Sequence, residues 1–295
     1  AGASLAEHKE RLCRVAKEAR RTGGGRGEVI KALLPALHSL VKAELGDAAG
    51  GRLGRIDAMF SRMARGDVHV EEDEVSGRRY APGFLEGLTP NKPFHSNEDL
   101  PWCAELKGHW AEIRAELHSH LDETALWVPG AYAASNKAYA PDWKISGVLV
   151  ADTWKDDGRW SITQGIIRQL KCITPFEVFF ARMPPHSTIA AHSDNLNYIL
   201  TSHLALDLEA GMCSIRVGNQ ERDWEEGEIL VFDTTYIHSA WNDSSRNRYV
   251  LVLRFWHPDL TLEERRAIHL SHALLAATPD PESQQATTAS MSLDR

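Results

Sequence analysis

His192-Ser193-Asp194, His238 and Arg248 fall in one stretch of the C-terminal half. Two imidazoles and one carboxylate that leave coordination positions open are the ligand set of a non-haem Fe(II) oxygenase. A guanidinium soon after the distal histidine adds a two-pronged partner for a carboxylate. Together they imply Fe(II) held by His192, Asp194 and His238, O2 as oxidant, and a dicarboxylate co-substrate of the 2-oxoglutarate type gripped by Arg248.

The His-x-Asp pair alone is weak evidence, because this chain with 14 histidines has three of them. His120-Leu121-Asp122 ends a predicted helix, where residues two apart point in very different directions. His257-Pro258-Asp259 sits at a strand end, where turn chemistry accounts for it. Only His192-Ser193-Asp194 follows an extended run, in which residues i and i+2 project from one face. Arg248 opens the otherwise apolar strand Arg248-Tyr249-Val250-Leu251-Val252-Leu253. Inside, its charge needs a partner; at an exposed strand start it would pair with a surface acid instead. His203, in an apolar run of its own, reads either as a contact for the co-substrate or as a hydrogen-bonded core histidine.

These residues need a sheet scaffold, and the pattern supplies one. Short β-rich runs at 145–151, 175–183, 187–192, 198–208, 212–218, 228–233, 237–242 and 248–256 are separated by turn residues such as Pro184-Pro185 and Glu226-Gly227. Eight such strands predict a mainly β fold with a helical flank, a double-stranded β-helix or cupin-like jelly roll. Residues 1–66 carry helical periodicity, broken at Gly23-Gly24-Gly25 and Gly50-Gly51, and read as a helical N-terminal flank that either docks a partner or covers the sheet. Residues 67–277 form the oxygenase domain, with 67–100 irregular, a helix over Leu106–Leu121, and an aromatic stretch at 127–160, all ahead of the barrel. Most of those rings belong to the core or a lid, and a minority could wall a substrate pocket. Thr261 and Glu264 predict a capping box opening a helix. The Pro-, Ser-, Thr- and Gln-rich residues 278–295 read as a disordered tail.

Composition narrows the class. A net charge of −8 argues against a nucleic-acid partner. Four scattered cysteines, none in a Cys-x-x-Cys pair, suggest reduced thiols, and no stretch is long and apolar enough for a membrane span. The expectation is a soluble intracellular protein, cytoplasmic or plastid.

At these residues the chain resembles the aspartyl/asparaginyl β-hydroxylase family of Fe(II)/2-oxoglutarate oxygenases. The likeness runs through His192 to Leu206, Asp223-Trp224-Glu225-Glu226-Gly227 to Asp233, His238 to Trp241, Arg248, and Trp256 to Thr261. It implies His192 and His238 as iron ligands and His203 and Arg248 as 2-oxoglutarate contacts. Two departures stand out. The best-known animal members have Gly where Asp194 stands, so this chain resembles a branch with a full triad. They also carry Arg two residues before the equivalent of His203, where this chain has Thr201, so the grip at Thr201 on the C1-carboxylate must differ. The implied reaction is hydroxylation of an aliphatic C–H bond in a small molecule, amino-acid side chain or peptide, with release of succinate and CO2. Similar triad-bearing sequences include an algal plastid group implied to oxidise the side chain of a chlorophyll-type pigment. A non-enzymatic cupin-like binding module is the competing class, against which the complete triad plus Arg248 argues.

Overall fold

The computed structural model describes residues 5–21, 26–45, 53–89, 92–129, 142–150 and 153–276. The expected tail at 278–295 and the aromatic residues Tyr132 and Tyr139 lie outside these.

The described residues within 1–69, 82–88 and 259–295 form one compact unit. It contains helices α1 (Leu5–Arg21), α2 (Arg26–Leu45) and α3 (Gly54–Arg65). They pack with a helix near the other end of the chain, Leu262–Ala276. Leu12, Leu33, Leu37, Leu40, Ile56, Phe60, Ala267 and Ile268 are buried there. The capping box forms as the sequence suggests: the Glu264 N–H donates to Thr261 Oγ1 at 3.2 Å, and the Thr261 N–H donates back to Glu264 Oε2 at 2.9 Å. Glu264 also takes both prongs of Arg55, at 2.8 and 2.7 Å. Among the described residues no helix is long and apolar enough to cross a membrane.

Residues 70–81 and 89–258 form the second unit. In chain order its strands are β1 (His69–Asp73, entered from the first unit), β2 (Gly77–Ala81), β3 (Phe94–His95), β4 (Val128–Pro129), β5 (Lys144–Val150), β6 (Thr153–Trp154), β7 (Pro175–Met183), β8 (Ser187–His192), β9 (Ile199–Asp207), β10 (Cys213–Val217), β11 (Gln220–Asp223), β12 (Ile229–Phe232), β13 (His238–Asn242) and β14 (Arg248–Trp256). Its helices are α4 (Trp102–Gly108), α5 (Trp110–Ser119) and α6 (Ser161–Gln169); the C-terminal helix of the first unit is α7. Among the described residues every strand pair within the two larger sheets is antiparallel. The larger sheet runs β3-β12-β9-β14-β7-β5-β4 with β6 on β5, and the smaller runs β11-β10-β13-β8. This is the jelly roll that the periodicity predicts, and the eight expected strands recur with ends shifted by at most one residue.

Strand β14 shows why the pattern is legible. All nine of its residues are buried, because its two faces serve two cores. Leu251, Leu253 and Phe255 pack with Trp102, Leu106, Ile113 and Ile167 of α4, α5 and α6. Val250 and Val252 face the opposite way, between the sheets, with Phe179, Ile215, Trp224 and Phe232. A strand buried on both faces reads as a continuous apolar run.

Two expectations need correction. Residues 67–100 are not irregular throughout: β1 and β2 form a hairpin whose turn is tied by Asp73 Oδ1 accepting from the Val75 and Ser76 N–H groups at 2.9 and 2.7 Å. The single helix expected at Leu106–Leu121 is two helices, parted between Gly108 and Trp110. Helix α6 was not anticipated. Its first turn is capped by a distant carboxylate, Glu116, whose oxygens accept from the Ile162 and Thr163 N–H groups at 2.7 and 2.9 Å.

The β1–β2 turn sits against the turn joining β10 to β11. A Cβ on Gly218 would lie 1.8 Å from the Ser76 carbonyl oxygen, and φ there is +57°. Only glycine permits both.

His95, on β3, gives the unit an acid sensitivity. It is 6% exposed, and its Nε2 has no hydrogen-bond partner among the described residues. Burial, helped by Lys92 and His257, pushes its imidazole down to about 4. Its folded affinity for a proton is therefore lower than its unfolded one. Stability is full above about pH 6.5 and declines as pH falls toward 4, with about 2 kcal/mol lost through this group by pH 5. Urea unfolding at pH 7 and pH 5 should show that loss in the wild type and a smaller one in His95→Leu.

Candidate metal centre

Antiparallel register builds the floor of the site. On the inner face of the larger sheet, Glu177, Arg254 and Thr201 stand side by side on β7, β14 and β9, followed two residues along by Phe179, Val252 and His203. Strand β12 extends these rows with Phe232 beside Thr201 and Leu230 beside His203. Arg248 lies further along the same face of β14, beside Met183.

The smaller sheet supplies the ligands. His192 ends β8 and His238 begins β13, and the two are register partners. Their rings lie 4.2 Å apart, tilted by 50°. Asp194 follows just past the end of β8, with its Oδ1 3.7 Å from His192 Nε2. One ligand atom from each of the three residues fits within 4.8 Å of the others, the only such His/Cys/Asp/Glu group among the described residues.

Both imidazoles are oriented by their own backbone. His192 Nδ1 lies 2.8 Å from the Ala190 carbonyl and His238 Nδ1 2.9 Å from the Tyr236 carbonyl. A carbonyl only accepts, so Nδ1 carries the proton and Nε2 presents a lone pair, the outer arrangement that metal-binding histidines commonly have. Burial lowers the His238 pKa against the opposing pull of Asp194. A neutral imidazole is the form a metal takes.

A buried ion pair holds this edge in place. Arg79 on β2 is fully buried and donates through Nη2 to Asp233 Oδ2 at 2.6 Å and through Nε to Thr235 Oγ1 at 2.8 Å. Asp233 Oδ1 accepts from the Thr235 N–H at 2.9 Å. Backbone bonds then lock β2 to the segment ahead of His238: the Tyr80 N–H to the Thr235 carbonyl and the Ile237 N–H to the Arg78 carbonyl, each 2.9 Å. Ser193 Oγ donates to the Tyr80 carbonyl at 2.6 Å, and the Asp194 N–H donates to the Thr234 carbonyl at 2.9 Å. The hairpin thus bonds to residues flanking all three ligands: Thr235 and Ile237 through their backbone and Ser193 through its side chain.

Between the sheets lies a cavity of about 620 Å³, counted to its open mouth. His192, Asp194, His238, Thr201, His203 and Arg248 all line it. Arg248 is 1% exposed, and its Nε and Nη1 have no hydrogen-bond partner among the described residues. Burial draws this guanidinium down to about 10, so it stays cationic at neutral pH. Its Cζ lies 4.4 Å from the Trp224 ring centre, and His203 stacks on the same indole at 5.7 Å. Burial and then Arg248 hold the His203 pKa well below its usual value. His203 Nδ1 and the Thr201 and Thr234 hydroxyls are likewise unpartnered among the described residues. Buried polar groups are nearly always satisfied, so such a group of orphans around one cavity fits a polar ligand. A buried cation flanked by neutral donors fits a carboxylate, and the His/Asp/His set fits Fe(II).

Reasoning from sequence overlooked Arg254. It lines the same cavity and is 5% exposed. Its spacing of six from Arg248 in an extended strand was the available signal. Of the aromatic stretch 127–160, Trp143 lines the cavity, whereas Trp127 and Trp160 belong to the core on the other side of the large sheet.

The sequence profile of the aspartyl/asparaginyl beta-hydroxylase family matches residues 107–258, which include every candidate ligand and co-substrate contact. The mouse aspartyl/asparaginyl beta-hydroxylase is 35% identical over 92 residues, 31% of this chain and 12% of that protein. The ornithine lipid ester-linked acyl 2-hydroxylase of Rhizobium tropici is 29% identical over 175 residues, 57% of this chain and 62% of that protein. The chain thus spans less than two thirds of either relative. Among solved structures, a prolyl hydroxylase from Trichoplax adhaerens superposes with a TM-score of 0.38 at 15% identity, covering 54% of this chain and 81% of that one. The profile match takes in more than half of the sequence and both strands that end or begin at the paired histidines, and on that ground the chain belongs to the aspartyl/asparaginyl beta-hydroxylase family.

Proposed function

We propose that this chain is an Fe(II)- and 2-oxoglutarate-dependent oxygenase that hydroxylates an aliphatic C–H bond. The observation that carries the reading is the meeting of two halves in one cavity: three ligand atoms within 4.8 Å of one another, and a buried Arg248 whose Nε and Nη1 have no hydrogen-bond partner among the described residues. His192, Asp194 and His238 hold the metal; Arg248, with His203 and Thr201 beside it, holds the co-substrate. When bound, Fe(II) with 2-oxoglutarate and O2 supplies the oxidising power for hydroxylation, with succinate and CO2 released.

The chain's own residues do the positioning. The Nδ1–carbonyl bonds aim both imidazoles with no reorganisation on binding. Arg248 supplies a fixed positive charge in a site walled by Trp143, Phe179, Ile215 and Val252. In such surroundings a charge pair is stronger than in water. The same walls leave an apolar chamber for an aliphatic substrate group.

The substrate class is an aliphatic amino-acid side chain or an acyl chain, the two kinds of group that the names of the mouse and Rhizobium relatives point to. The pigment reading gains no support, since of the described tryptophans that suggested it only Trp143 lines the cavity.

The experiment is conversion of 2-oxoglutarate to succinate under air, assayed with and without Fe(II) and with a panel of amino acids, peptides and acyl lipids. Iron-dependent succinate formation, stimulated by a panel member and abolished in His192→Ala, is expected. A protein that neither binds iron nor forms succinate would sink the enzyme reading and favour a cupin-like binding module.

A further inference from the structure

Arg254 brings a second guanidinium to the cavity, and the oxygenase reading gives it no role. It shares a strand face with Arg248, six residues away, which sets their Cα atoms about 20 Å apart along β14. Both side chains line the one cavity, on either side of the Val252–His203 row. Arg254 is the register partner of Thr201 on one side and Glu177 on the other. Glu177 Oε2 accepts from its Nη1 at 2.8 Å and fixes the direction of the guanidinium plane. Asn242, at the end of β13 remote from His238, donates to the carbonyl of Met183, the register partner of Arg248, at 3.2 Å. Arg254 is therefore at the ligand end of the cavity, and Arg248 with Trp224 and His203 is at the other.

We propose that Arg254 binds the C1-carboxylate of 2-oxoglutarate. This rests on the oxygenase reading above. A rod-shaped diacid has two charged ends, and the cavity has a cation for each. Thr201 stands directly across the strand pair from Arg254, and its buried hydroxyl, unpartnered among the described residues, is left to donate to the same carboxylate. Charges balance in this arrangement. Fe(II), Asp194 and two neutral histidines sum to +1, the diacid brings −2, Arg248 brings +1, and the Arg254–Glu177 pair is neutral. Arg254 thus contributes directed hydrogen bonds rather than net charge.

The test compares two ligands that differ only at the far end: 2-oxoglutarate, and 2-oxopentanoate, which has no second carboxylate. Their Kd values are measured by anaerobic calorimetry on Mn(II)-loaded protein. Arg254→Gln is expected to weaken both by at least tenfold, and Arg248→Gln to weaken only the diacid. Should Arg254→Gln fail to fold, Arg254→Lys decides, because it keeps the charge beside Glu177 but loses the two-pronged grip; a tenfold weakening of both acids is expected there too. Wild-type affinity in the folded variant, for either ligand, overturns the assignment and leaves Arg254–Glu177 as a cross-strand ion pair only. If the wild-type protein binds neither acid, the oxygenase reading falls and this assignment falls with it.

Discussion

Alanine at position 238 is expected to raise the Kd for Fe(II) by at least about 100-fold and to reduce succinate formation to background. Loss of an outer partner of a metal ligand alone costs about 10- to 100-fold. Removal of the ligand itself costs more, and His238 is the member most deeply enclosed, 8% exposed and paired in register with His192. What remains is one imidazole and a carboxylate on the far side of a widened gap. The check is a ferrous-ion titration under nitrogen combined with thermal unfolding. At 100 times its Kd, iron should stabilise the wild type by about 2.7 kcal/mol, and His238→Ala should show no such rise at the same concentration. A variant with unchanged iron affinity would place the metal elsewhere.

Arg79→Leu is the second large effect, and it acts on stability first. Arg79 and Asp233 are 0% and 2% exposed, and no water reaches the carboxylate to replace a lost guanidinium. Breaking a buried pair by removing one partner costs about 3–5 kcal/mol, because the other charge stays behind unpaired. Leucine also leaves the Thr235 hydroxyl without the Arg79 Nε donor. Urea unfolding should show the loss, and Arg79→Leu/Asp233→Leu should recover part of it, since the stranded charge is then gone as well. In whatever fraction remains folded, iron affinity should fall by about 10- to 100-fold, because Arg79 and Asp233 brace the Thr234–Tyr236 segment that accepts from His238 and Asp194.

The parts of the fold that could be read from the sequence were those whose cause is local. Strands β7, β9 and β14 carry apolar runs bounded by turns, and the Thr261–Glu264 box begins α7 as such boxes do. What escaped was set by residues remote in the chain. The cap of α6 comes from Glu116, 46 residues before Ile162. Strand β2 alternates buried and exposed positions, yet its central buried residue is Arg79, which no hydrophobic pattern detects. The site divides the same way. The spacing of His192, Asp194, His238 and Arg248 pointed to a common centre, and the structure brings all four to one cavity. That His192 pairs with His238, and Arg254 with Thr201, depends on register across strands far apart in sequence. A strand's own residues do not specify its neighbour.

The β1–β2 hairpin bears on how such a centre could be moved between proteins. The stretch that carries the family signature, residues 107–258, contains the ligands, the cavity floor and both sheets except for β3, but not Arg79, Tyr80 or Ser76. A graft or recombinant cut at the signature's edges would carry the full coordination set while leaving Asp233 with a buried negative charge and Ser193 without its acceptor. Recombination between family members should therefore succeed when residues 70–81 travel with their own barrel and fail when they are exchanged without it. Inheritance of the centre is bipartite, and its shorter share lies upstream of everything that names the family.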